Sequence, residues 1–390
     1  MPTSELTFLK EKHIKYFVHV LSLCPHQFQS EDSNKLAMVY FALTGLTLAN
    51  PSDNPLEPFI KTENERLGYV EFIYKHLVPS GEGFRGSMTM ELPASEGSTY
   101  DPPNLPATYF ALCCLLILKE DYTKRLDRHK IMNYVRRCQV DEGYFRPTLD
   151  MHGSPFGDSD MRHCQIISSI RMMLGYTGGE NDIDCDALEA YILSTVSYDG
   201  GIGNGAGEYF TESHAGLAFC GLFTLKALGR LTGEDPRWNK TKRWLHMRQM
   251  DYDSSQIHRQ VELDENEYAY EEDHGGFNGR ENKYTDTCYA FWVLGCLRLL
   301  SNTGDLLIDE RALAVYLLGQ TQHQFLGGFG KTNEDMPDPL HSTLGLAALS
   351  HIQHSAALDG LCVEKLHLGE LDDTLVVDKQ SKVFLDGLKW

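Results

Sequence analysis

A chain of 390 residues with 42% hydrophobic and 23% charged content has the makeup of a soluble globular protein, long enough for one large core or two ordinary ones. Its formal net charge of −20 disfavours nucleic acid and anionic lipid as partners and suits a basic one. The N-terminal stretch is charged too early for a signal peptide, and no apolar run is long enough to span a membrane, so no stable membrane insertion is expected. Ten cysteines, none in a CxxC pair and several inside apolar runs such as ALCCLLIL, read as reduced, buried thiols of a cytoplasmic protein.

The predicted elements repeat. Gly83-Phe84 is followed by the apolar TYFALCCLLIL. The amphipathic IMNYVRRCQV leads to Gly143-Tyr144-Phe145 and the apolar HCQIISSIRMML. ALEAYILSTV leads to Gly200-Gly201-Ile202 and HAGLAFCGLFTLKAL. Gly275-Gly276-Phe277 precedes DTCYAFWVLGCLRLL, and ERALAVYLLGQTQ leads through Gly327-Gly328-Phe329 to LHSTLGLAALSHI. The unit is helix, glycine turn, helix, with glycine ending one helix and giving room to start the next. Helices apolar all round are buried, whereas amphipathic ones face water on one side. Their alternation predicts an all-α fold, an α-α barrel of concentric inner and outer helices over 1–352. Two segments leave the pattern: the acidic insertion 251–273, which lengthens one repeat, and the C-terminal extension 353–390. Both read as solvated excursions.

An inner ring leaves a cavity whose mouth is lined by the turns that start its helices. Three such turns carry polar residues: TESHAG with His214, GRENKYTDTCY with Arg280, Lys283, Asp286, Cys288 and Tyr289, and KTNEDMPDPLH with Lys331, Asp338 and His341. Asp286, Cys288 and His341 supply the carboxylate, thiolate and imidazole that zinc accepts in a three-ligand site with one open position. Spacing alone equally allows a helix cap, a buried thiol and a cap-side histidine. Arg280 and Lys283 could contact an anion or form a solvated face, and His214 and Tyr289 could add hydrogen bonds.

Taken together, the stretch GGFNGRENKYTDTCYAFW with DPLHSTLGLAALS, ESHAGLAFCGL, DMRHCQ and FLKEKHIKYF resembles the β subunits of protein prenyltransferases, over about residues 7–352. That resemblance implies an α-α barrel working as an obligate heterodimer with a prenyltransferase α subunit. It implies one Zn²⁺ per β subunit on Asp286, Cys288 and His341. His214, Arg280, Lys283 and Tyr289 would bind the isoprenoid diphosphate, and Arg162 would line the site of the peptide substrate. The chemistry fits: a thiol is a weak nucleophile until a metal removes its proton, and a breaking allylic C–O bond loads negative charge on the diphosphate.

Within that family the N-terminal match and Lys331 favour a resemblance to the type I geranylgeranyl enzyme. Where farnesyltransferase β subunits carry a tryptophan, KLAMVYFAL has Ala37, leaving room for a fourth isoprene unit. Where they carry an aspartate for Mg²⁺, GGFGK has Lys331, so a magnesium requirement is not expected. Asn104 and Pro106 depart from the type I pattern on the peptide side. The implied substrates are geranylgeranyl diphosphate and CaaX proteins such as Rho-type small GTPases, with Leu or Phe typical at the last position. The Rab-type enzyme and farnesyltransferase are the rivals within the family. A terpene cyclase would need a DxDD or DDxxD motif, which is absent; a carboxylate-pair glycosidase and a non-catalytic α-helical scaffold remain as readings outside it.

Overall fold

The computed structural model describes residues 6–23, 26–88, 92–93, 99–205, 211–251, 271–301, 306–362, 365–372 and 374–390. The acidic insertion 251–273 thus lies mostly outside the described residues.

Amphipathic and apolar helices alternate along the chain. The first pair is α1 (Lys10–Ser22) and α2 (Lys35–Ala49), and the second α3 (Glu63–Tyr74) and α4 (Leu105–Ile117). Next come α5 (Arg128–Arg137) with α6 (Met161–Met173) and α7 (Cys185–Ser194) with α8 (Ala215–Ala227). The last two pairs are α9 (Asn239–His246) with α10 (Thr287–Leu300), and α11 (Glu310–Val315, continued by a π-helical turn to Thr321) with α12 (Pro339–Ile352). The second helix of each pair packs on the second helices of the pairs before and after it, and α12 returns to α2. The inner ring is therefore closed, with α2 facing α8 across it. The ring contains one more inner helix than the glycine turns announce, because α2 is reached through a 3-10 segment (His26–Asn34).

The turn residues explain the spacing. Phe84, Phe145, Ile202, Phe277 and Phe329 are each fully buried, and each forms an isolated antiparallel bridge with a residue at the end of the preceding outer helix. Beside them, Gly275 has φ +83, and a Cβ there would lie 2.3 Å from the Ala312 backbone at the start of α11. Gly327, φ +73, stands likewise against Lys12 of α1, closing the outer ring on itself. Only glycine accepts both the left-handed backbone and that approach. His13 secures the same seam: its Nδ1 accepts from the Gly328 N–H (3.0 Å) and its Nε2 lies 2.9 Å from Gln322 Oε1. Burial lowers the His13 pKa to about 4, so the ring is neutral there.

Inner-helix N-termini share one rim, where three of them give their first N–H to a carbonyl of the next turn round: Leu105 to Pro147 O, Ala215 to Gly279 O, Thr287 to Lys331 O. The opposite end is closed by the C-terminal extension, which corrects its reading as a solvated excursion. Leu371–Asp372 pairs with Val377–Asp378 in a short hairpin, followed by α13 (Lys379–Gly387), which packs on α4. Leu366, Leu368, Leu371, Leu375, Val376 and Val377 are buried. The sequence pattern misses this because the stretch 366–377 before α13 has no helical period; its leucines meet an apolar surface that only the closed ring creates. Among the described residues no helix is long and apolar enough to cross a membrane, and the described cysteines are free thiols.

Candidate active site

The rim is built from helix caps. Asp160, His214, Asp286 and Asp338 are the N-caps of α6, α8, α10 and α12, and each side chain accepts a backbone N–H of its own first turn. A cap residue is held rigidly by that bond and projects from the helix end. The bland reading of Asp286 as a cap is thus true, and the cap also positions it. Asp286 Oδ1 accepts from the Cys288 N–H (2.8 Å) and lies 3.1 Å from His341 Nε2. One ligand atom each from Asp286, Cys288 and His341 come within 4.8 Å of one another, with Asp286 and Cys288 buried. Two helix starts far apart in sequence supply this triad.

Asp338, named from sequence among the polar residues of its turn but given no role there, fixes the imidazole. Its Oδ2 is 2.5 Å from His341 Nδ1, so His341 turns Nε2 toward Asp286 and Cys288. The signal was present in DPLH, where an N-cap Asp stands three residues before the histidine with proline at the first helical position. The electrostatics describe a place for a cation. Burial by itself would lower the His341 pKa, but Asp286 and Asp338 outweigh it and hold it at about 9. Burial works against ionisation of Asp286 too, yet the His341 hydrogen bond holds its pKa below the usual carboxylate range. The Cys288 thiol is pushed well up by burial, with Asp286 adding to the rise. Oxygen, sulfur and nitrogen donors in a half-dry cluster with surplus negative charge fit a borderline-soft divalent metal.

A second pair stands beside the triad. His214 Nδ1 accepts from Gly216 N–H (3.0 Å), which places its proton on Nε2, 3.0 Å from Tyr289 Oη. Burial lowers the His214 pKa, and Arg280 adds to that. Gly279 explains how the loop reaches this point: a Cβ there would stand 2.0 Å from the Tyr289 ring. Arg280 follows it at the half-exposed rim and pairs with Glu212 at 2.7 Å. Lys283 and Lys331 are exposed and stand, like Arg280, outside the residues that line the cavity.

That cavity encloses about 940 Å³, in the upper range of small-molecule sites. Cys288, Tyr289, His214 and Arg162 line one side, and Ala37 of α2 lines the facing wall. Between them Tyr40, Phe41, Tyr109, Phe110, Phe219 and Trp292 make the walls aromatic. Sequence reading named Ala37, Arg162, His214, Cys288 and Tyr289 among the lining residues but none of these six aromatics, since aromatic residues on apolar helices look alike until the ring decides which side faces in. Arg162 is held at the mouth by Asp160, with Nη2–Oδ2 at 2.6 Å.

Residues 8–377 match the family model of the prenyltransferase alpha-alpha toroid domain. The chain belongs to this family, and within it to the β subunits of prenyltransferases. A geranylgeranyl transferase type-1 subunit beta of Arabidopsis thaliana is 31% identical over 92% of this chain and 88% of its own length. Its counterpart in Dictyostelium discoideum is 28% identical over 87% and 90%. The solved Candida albicans protein geranylgeranyltransferase-I complexed with GGPP superposes with a TM-score of 0.83 at 35% identity, over 98% of this chain and all of that one. A pea farnesyltransferase subunit beta aligns over 68% of this chain.

Proposed function

We propose that this chain is the catalytic β subunit of a cytosolic type I protein geranylgeranyltransferase, transferring geranylgeranyl from its diphosphate to the cysteine of C-terminal CaaX sequences. The observation that carries the reading is the Asp286, Cys288 and His341 cluster, whose Cys288 lines an aromatic cavity that Ala37 lines as well. These three residues would hold zinc, which when bound supplies the Lewis acidity that makes a substrate thiol a thiolate at neutral pH.

The chain's own groups account for the rest. Asp338 keeps the proton of His341 on Nδ1 and so leaves Nε2 for the metal. Because His214 donates from Nε2 to Tyr289 Oη, the Tyr289 hydroxyl hydrogen is left to point into the cavity, toward a leaving diphosphate oxygen. Arg280, and Lys283 when the α subunit narrows the mouth, supply positive charge as the C–O bond breaks. Lys331 would take the place of a magnesium ion at that oxygen, and Arg162 would meet the peptide. The aromatic walls exclude water from the allylic carbon.

The deciding experiment is co-expression with a candidate α subunit. Competing farnesyl and geranylgeranyl diphosphates are supplied with peptides ending in Leu, Ser or Met, and products are identified by mass. Geranylgeranylated Leu-ending peptide should dominate, at a rate flat across millimolar magnesium. Ala37→Trp should turn the product toward farnesyl by about tenfold or more, as filling one isoprene's space in an apolar pocket implies. Farnesylated Ser- or Met-ending peptide from the unmutated enzyme would instead support the farnesyltransferase reading.

A further inference from the structure

The floor of the cavity is not made by the inner helices. It is made by the tip of the C-terminal hairpin, whose Val376 is the cavity-lining residue from this segment. The hairpin enters from the end opposite the rim. Gly369 N–H bonds Leu48 O at the last turn of α2, and Ser350 Oγ of α12 bonds Gly369 O (2.6 Å). From there the chain climbs the barrel axis. Tyr40 Oη donates to Val376 O (2.6 Å), and Tyr109 Oη to Leu375 O (3.4 Å). Tyr40 precedes Leu48 by eight residues, which at 1.5 Å per residue is about 12 Å toward the mouth. Both tyrosines line the cavity themselves. Leu375 and Val377 are wholly buried and anchor the tip on either side.

The backbone at this tip is unusual. Val376 has φ +58, in the left-handed region where a β-branched residue is an outlier. The turn is closed by Val376 N–H to Asp372 O (3.0 Å) and by Thr374 N–H to Asp372 Oδ1 (3.0 Å), a tight hairpin in which glycine or asparagine is the ordinary occupant of that position. A glycine would satisfy the turn and leave a hole in the floor. Valine satisfies the floor at the expense of the turn. Strain retained at one residue that faces a binding cavity points from geometry to function.

We infer that Val376 is a specificity-determining residue, the stop that sets how deep an isoprenoid chain can reach. It acts independently of Ala37, which limits the cavity across the ring, where Val376 limits it along the axis. This rests on the prenyltransferase reading above, and the chemical class of ligand is the same linear isoprenoid diphosphate. With the floor lowered, chains longer than four isoprene units gain a place to go; with it raised, four units no longer fit.

The test uses the co-expressed heterodimer and three diphosphates, of fifteen, twenty and twenty-five carbons, competing for one Leu-ending peptide. Val376→Gly should raise kcat/KM for the twenty-five-carbon donor relative to the twenty-carbon one by about tenfold, the low end of what a methylene-scale change in an apolar pocket is worth. Val376→Trp should lower the twenty-carbon donor relative to the fifteen-carbon one by a similar factor or more. Val383→Ser, on the exposed face of α13, controls for general loosening of the tail and should leave all ratios alone. If the glycine protein fails to fold, Val376→Ala, which retains a Cβ but removes the two methyl groups, should move the ratios the same way by less. Donor ratios unchanged in folded Val376→Gly and Val376→Trp proteins overturn this inference alone. Absence of any prenyl transfer by the unmutated heterodimer would instead overturn the function on which it rests.

Discussion

The two ends of the barrel are built by opposite means. The mouth is made of helix caps that repeat every pair, so Asp160, His214, Asp286 and Asp338 occupy equivalent places on α6, α8, α10 and α12. The floor is made once, by a hairpin with no counterpart in the repeat, held by Tyr40, Tyr109 and Ser350. A repeated architecture thus offers several positions for chemistry at one end and leaves a hole at the other, which a unique segment must fill. Polar groups concentrate where helix N-termini leave N–H groups to be satisfied, and apolar ones where a ring of side chains has to be covered.

Breaking the mouth should have the largest effect. Cys288→Ala or His341→Ala should remove the bound metal and abolish transfer while leaving binding of the lipid diphosphate largely intact, since the proposed anion contacts are other groups. Metal content by mass spectrometry and a fluorescent donor titration check this; full turnover in a metal-free Cys288→Ala protein would sink the assignment. Asp338→Asn should cost less, about ten- to a hundredfold in metal affinity or activity, as loss of a partner that orients a ligand histidine does. An effect no larger than that of an exposed rim substitution would reduce Asp338 to a helix cap.

Breaking the floor should read out as stability. Leu375→Ala should lower the unfolding free energy by about 2–5 kcal/mol, the range for a fully buried leucine, and match Leu346→Ala of the inner ring. A change near zero in denaturant unfolding would return the extension to a solvated excursion.

The smallest expected effect concerns the seam near the mouth. His13 has a folded pKa of about 4 against 6.5 when exposed, so between those values the unfolded chain binds more protons and stability falls as the pH falls. Below pH 6.5 the loss grows at about 1.4 kcal/mol per unit, toward roughly 3 kcal/mol by pH 4. His13→Gln should lower stability at neutral pH and flatten that slope. An unchanged slope would assign acid sensitivity to other groups.

Much of the fold was legible because its causes are local. Glycine-aromatic turns such as Gly275 to Phe277 and Gly327 to Phe329 follow from backbone geometry and from close approach to the next outer helix. The contrast between IMNYVRRCQV and TYFALCCLLIL follows from burial on one side or all round. α2 escaped the pattern because its entry is a 3-10 segment with no glycine signal. The triad was visible only as a candidate: D-x-C and a histidine 53 residues beyond Cys288 carry no distance, and family resemblance was needed to join them.

What the sequence alone determined is the period of the repeat, the inner and outer character of its helices, and the residue types offered at each helix start. Hydrophobic periodicity and capping act within a few residues, so they survive reading one segment at a time. Only the tertiary structure decided that the ring closes from α12 back to α2, that Asp338 turns His341 toward Asp286, and which aromatics face the cavity. It alone decided that a tail without helical period becomes the floor. Each of these depends on surfaces brought together from distant parts of the chain: an apolar cavity end to be covered, and carboxylates whose charge is felt only across a few ångströms of half-dry space. No local pattern encodes a surface that exists only after the ring has closed.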